Sequence, residues 1–75
     1  MHEWLSQRAD ALAAATGLPR ARFELDQADV DQLLELAKIG AHDSGERTNA
    51  PLLTYLVGLA RESGKSLDEL FDAAR

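Results

Sequence analysis

Residues 49–60 read Asn49-Ala50-Pro51-Leu52-Leu53-Thr54-Tyr55-Leu56-Val57-Gly58-Leu59-Ala60, and from Ala50 onward only Thr54 is conventionally polar. Pro51 suits the first turn of a helix, where a missing N–H is harmless and the fixed φ is already helical. Asn49 is the expected N-cap, since its side-chain oxygen can accept a free backbone N–H there. Leu52, Leu53, Tyr55, Leu56, Val57 and Leu59 then surround the helix with apolar side chains. A helix that is apolar all round belongs in the middle of a fold. It falls well short of the roughly 20 residues a bilayer requires, so the other helices are expected to cover it.

Upstream, Asp26 is the expected N-cap of a second helix, with Asp29 three residues on. Its apolar stripe reads Val30, Leu33, Leu34, Ala37 and Ala41, and it fades between His42 and Gly45 in the turn formers Asp43-Ser44-Gly45-Glu46. Gly40 and Gly58 each sit inside a helix, where glycine costs about 1 kcal/mol relative to alanine. The packing reading is that helix two passes close to helix three at both glycines; a gap that admits a ligand is the alternative. Downstream, Gly64 stops the third helix, and Ser66-Leu67-Asp68-Glu69 spells a capping box that opens a fourth with the face Leu67, Leu70, Phe71 and Ala74.

At the other end, Trp4, Leu5, Ala9, Leu12 and Ala15 recur at helical spacing over residues 2–15, closed by Gly17 and Pro19. Leu18, Phe23 and Leu25 in the following connector are expected to plug the core. Nothing alternates with period two for long enough to form a strand. The fold class is therefore all-α: a small four-helix bundle with an apolar central third helix, in a single domain over residues 1–75.

Composition agrees with one small domain. The 75 residues carry eight Lys or Arg and thirteen Asp or Glu, a net charge of −5, with no cysteine. A chain of this length buries only about 60% of its unfolded surface, so stability must come from one compact core or from a partner. Without cysteine there is no disulfide framework, thiolate nucleophile or Cys-based metal site. The start Met1-His2-Glu3-Trp4 has no basic region followed by an apolar run, and no segment is long and apolar enough to cross a membrane. A cytoplasmic protein without membrane contact is the expectation.

Few residues suggest chemistry. Glu24, Asp26, Asp29, Asp31 and Glu35 form an acidic run, but Val30, Leu33 and Leu34 interrupt it, which defeats the alternating ligands of a calcium loop. Carboxylates at a helix start are favoured by the dipole, so a solvated first turn accounts for the run. His42 is the histidine that sits inside a motif-rich stretch, and histidine is the residue type suited to acid–base work at neutral pH. No cysteine, second interior histidine or paired carboxylate joins it in a metal or nucleophile set, so it reads as a structural histidine that caps helix two or bonds the 46–49 loop. Thr54 is expected to bond a carbonyl one turn back, near Ala50, and Tyr55 to keep its phenol at the surface with its ring inside. The basic residues are dispersed, leaving no stripe for a phosphate backbone, so nucleic-acid binding is not expected. Gly64-Lys65-Ser66 lacks both the upstream glycine and the preceding strand of a phosphate loop.

The segments Leu33-Leu34-Glu35-Leu36-Ala37, Ala41-His42 and Ala50-Pro51-Leu52-Leu53-Thr54-Tyr55-Leu56-Val57-Gly58-Leu59-Ala60, with Trp4-Leu5 and Thr16-Gly17-Leu18, resemble a small actinobacterial helical domain of unknown function. That family occurs alone or fused to proteins resembling the molybdenum-cofactor guanylyltransferase. The resemblance implies an all-helical accessory domain and, by association, molybdenum-cofactor biosynthesis. It transfers no catalytic residue, because the Gly-rich loop of a nucleotidyltransferase is missing. The expectation is a non-enzymatic interaction domain without a cofactor. Its partner would be another protein, a guanylyltransferase-like enzyme being the candidate. The alternatives are a homodimeric structural protein and a small-ligand or metal-binding domain around His42. The candidate contact residues for a ligand or partner are His42, Asn49, Thr54 and Tyr55.

Overall fold

A computed structural model describes all 75 residues, Met1–Arg75. Four helices and no strand make the chain all-α, as the periodicity requires: α1 Glu3–Thr16, α2 Gln27–Ser44, α3 Asn49–Ala60 and α4 Leu67–Ala74. Two 3-10 turns, Arg20–Phe23 and Arg61–Ser63, complete the backbone. The chain divides into two compact units, Met1–Val30 and Asp31–Arg75.

In the first unit, α1 closes on Gly17, whose φ of 74° is the left-handed conformation that a side chain disfavours. Pro19 then precedes the 3-10 turn, a tightening within the connector that periodicity alone did not show. Arg20 joins this turn to α1. Its Nε donates to Asp10 Oδ1 at 2.6 Å and its Nη2 to Ser6 Oγ at 3.0 Å, while Nη1 pairs with Glu24 Oε2 at 3.1 Å. The hydrogen bond with Asp10 raises the Arg20 pKa; desolvation opposes that rise, and the charges of Glu24 and Asp10 add to it. Of the expected α1 stripe only Ala9 is buried, whereas Trp4, Leu5 and Leu12 stay exposed. Arg8 lies over the Trp4 ring, 4.8 Å from its centroid. Leu18, expected as a core plug, is exposed, while Phe23 and Leu25 are half-buried. The start of α2 carries the expected cap in reciprocal form: the Asp29 N–H donates to Asp26 Oδ1 at 2.8 Å, and the Asp26 N–H to Asp29 Oδ2 at 3.1 Å.

The core of the second unit is Leu36, Val57, Leu67 and Leu70, with Leu33, Leu53, Phe71 and Ala74 packed against it. This corrects the expected stripe of α2. Leu36 is fully buried and Leu34 is 66% exposed, so the buried face runs through Leu33, Leu36, Ala37 and Gly40. The leucines at 33, 34 and 36 admit two neighbouring faces, and the face that packs is the one where Gly40 lets α3 approach. A Cβ placed on Gly40 would lie 3.0 Å from Leu53 Cδ2 and 3.7 Å from the Asn49 carbonyl oxygen.

Gly58 behaves otherwise. A Cβ there would meet nothing within 4 Å, and its φ is not positive, so the expected close approach does not occur at this glycine. Gly58→Ala is accordingly expected to stabilise the fold by about 0.5–1 kcal/mol through helix propensity alone. Urea denaturation followed by helical ellipticity measures this, and a destabilised variant would show that the open position is needed.

The ends of α3 also differ from expectation. Thr48, in helical conformation and without a side-chain bond, takes the N-cap place in front of Asn49. The free N–H groups of Asn49 and Ala50 donate to the carbonyls of Glu46 and Arg47 at 3.0 and 3.1 Å, so backbone turns replace the expected side-chain cap. At the far end the helix tightens through the 3-10 turn before Gly64 closes it with φ 85°. The capping box of α4 forms as spelled: the Glu69 N–H donates to Ser66 Oγ at 3.2 Å, and the Ser66 N–H to Glu69 Oε1 at 3.3 Å.

Candidate functional site

The third helix is apolar all round, yet its own unit covers one side of it only. Val57 is buried and Leu53 packs on the core, while Leu52, Tyr55, Leu56 and Leu59 are 59%, 66%, 60% and 50% exposed. Successive helical residues turn by about 100°, which places these four side chains on one contiguous face. No charged residue lies between Thr48 and Ala60. Within Asp31–Arg75, the expected covering of α3 is thus corrected to one side only, and the Tyr55 ring, expected to turn inward, is not part of that unit's core. A segment of only 45 residues, Asp31–Arg75, has too few apolar side chains to enclose a helix on every side.

Beside this face, α2 and α3 form a groove with a volume of about 440 Å³, open to solvent rather than enclosed. Ile39, Gly40 and Asp43 line it from α2, and Leu52, Leu53 and Leu56 from α3. Ala74 of α4 contributes a further apolar contact, and Ser44 and Asn49 make its polar end. The missing side chain at Gly40 and the steps of three and four along each helix shape this surface. The volume falls within the range of about 300–1,000 Å³ typical of ligand clefts. Ser44 Oγ donates back to the Gly40 carbonyl at 2.6 Å and is thus occupied. Asp43, the one charged residue of the lining, makes no hydrogen bond or ion pair within the chain. It stands in the last turn of α2, where the helix dipole disfavours a carboxylate by about 0.3–1 kcal/mol.

The four candidate contact residues do not converge. Asn49 lines the groove; His42, Thr54 and Tyr55 do not. His42 is exposed and its side chain makes no hydrogen bond, so it neither caps α2 nor holds the 46–49 loop. Thr54 is committed to its own helix, its hydroxyl donating to the Ala50 and Pro51 carbonyls at 3.2 and 2.9 Å. No three His, Asp or Glu side chains are placed to hold a metal ion. The acidic run is instead spent locally: Asp26 and Asp29 cap α2 and Glu24 pairs with Arg20. Residue reading missed Ile39, Asp43, Leu52 and Leu56 as a joint surface. The i, i+4 spacing of each pair was visible, but which faces meet was not.

No helix is long and apolar enough to cross a membrane. Comparison with curated proteins and with solved structures finds no match. A family model does match, and it matches residues 1–75. The chain belongs to the family described as domain of unknown function DUF6457.

Proposed function

We propose that this chain is a non-enzymatic accessory domain that binds another protein through the open face of α3. The observation that carries this reading is the contiguous exposure of Leu52, Tyr55, Leu56 and Leu59 on a helix without a single charge. Isolated apolar side chains at a surface are ordinary, but a contiguous apolar face marks an interaction site. The reactive groups that would speak for catalysis are dispersed or engaged, as Thr54 and Glu24 are.

The first partner to test is a molybdenum-cofactor guanylyltransferase-like enzyme, on the strength of the resemblance of residues 50–60 to domains fused to such proteins. Isothermal titration of the chain against that enzyme is expected to give a dissociation constant in the micromolar range. Leu56→Glu, a change at an exposed position, should weaken it at least tenfold while leaving the helical ellipticity intact. No heat at tens of micromolar enzyme would reject this partner. Undiminished binding by Leu56→Glu would reject the face.

A further inference from the structure

We infer that Arg20 is an ionic strap that holds α1 to the 3-10 turn Arg20–Phe23, so that residues Met1–Val30 open and close with ionic strength, separately from the Leu36 core. The inference concerns the first unit and does not depend on the partner reading of α3.

Apolar burial gives this unit little to hold on to. Ala9 is the one buried residue between Met1 and Val30; Phe23 and Leu25 are half-buried, and Trp4, Leu5, Leu12 and Leu18 are exposed. An alanine removes a single methyl group from water, far less than a leucine does. The caps at His2, Thr16 and Asp26 act within four residues of chain, so they finish helix ends and do not join one element to another. Arg20 works across ten and fourteen residues. Its Nε reaches Asp10, and its Nη2 reaches Ser6 Oγ and, at 3.4 Å, the Ser6 carbonyl. Ser6 and Asp10 lie one turn apart on α1, so the guanidinium spans a turn of that helix while Nη1 stays on Glu24 in its own segment. A planar fork fixes such a geometry, which a point charge does not.

The strap is also the part of the unit that dissolved ions can reach. Asp10 and Glu24 are exposed, so salt screens their pairing with Arg20, whereas the Leu36 cluster has no charged member to screen. A unit held by exposed charges beside one held by a core is expected to open first.

Amide hydrogen exchange of the native full chain tests this, read at Ala9, Leu12 and Ala13 in the first unit and at Leu36 and Val57 in the second. Arg20→Gln is expected to speed exchange about tenfold at the first three amides and to leave the other two unchanged. Raising sodium chloride from about 0.02 M to about 0.5 M should speed the same three about threefold in the unaltered chain and leave them unmoved in Arg20→Gln. Arg20→Lys keeps the charge, loses the fork and should fall between. Asp10→Asn breaks the strap from the helix side and, combined with Arg20→Gln, should add little to it. Unchanged α1 exchange in Arg20→Gln, an equal salt response in that variant, or parallel acceleration at Leu36 and Val57 would overturn the inference. The last result would make the chain a single cooperative body.

Discussion

Leu36→Ala is expected to cost the fold about 2–5 kcal/mol, the range for emptying a buried leucine site. Leu36 is the one large side chain wholly removed from solvent, and it meets Val57 of α3 and Leu67 and Leu70 of α4 in a single cluster. The cluster is small, so few neighbours can close over the vacancy. A chain of 75 residues has roughly 4–11 kcal/mol of stability in total at ordinary values per residue. Emptying this one site therefore removes a large share of it. Leu34→Ala is the control two residues away, where 66% exposure limits the change to about 0.5 kcal/mol. Urea midpoints of the two variants decide the matter. Equal losses would mean that α2 packs through the stripe containing Leu34, contrary to the structure.

The second large effect is expected at Gly40. Gly40→Ala places a methyl group 3.0 Å from Leu53 Cδ2, the movable end of a side chain, and gains about 1 kcal/mol of helix propensity, so it should be near neutral. Gly40→Val adds two further carbons between Leu53 Cβ and the Asn49 carbonyl, which lie 3.6 and 3.7 Å from the Cβ position. Backbone cannot yield as a side chain does. Overpacking of this kind costs about 1–3 kcal/mol, and valine forgoes the propensity that alanine gains. The valine variant should unfold at clearly lower urea than the alanine variant. Equal midpoints would show that α2 and α3 separate freely at this point.

These two sites also mark where residue order is informative and where it is not. The Ser66–Glu69 box and the left-handed stops at Gly17 and Gly64 were legible because each is settled within a few residues of chain. Gly40 was legible as a close approach and Gly58 was not, although both are glycines inside helices, because the difference lies in which element faces them. The choice between Leu34 and Leu36 has the same origin. Apolar pattern says that α3 prefers burial, but whether the remaining helices have enough surface to bury it is a property of the assembled unit. The candidate site was less legible still. His42 and Thr54 stood out by residue type and turned out to be an unpartnered surface group and a helix-bound hydroxyl, while Asp43 drew attention only once the walls around it were in place.

The cation stacked on Trp4 bears on how this molecule can be observed. Trp4 is the only tryptophan, is 56% exposed and belongs to α1, not to the Leu36 cluster, while the only tyrosine, Tyr55, is 66% exposed on α3. Tryptophan emission is therefore expected to report the surroundings of Trp4 on α1 and the posture of Arg8 above it, not the packing of the Leu36 cluster. Helical ellipticity, not tryptophan emission, is the signal that follows the melting of the Leu36 cluster.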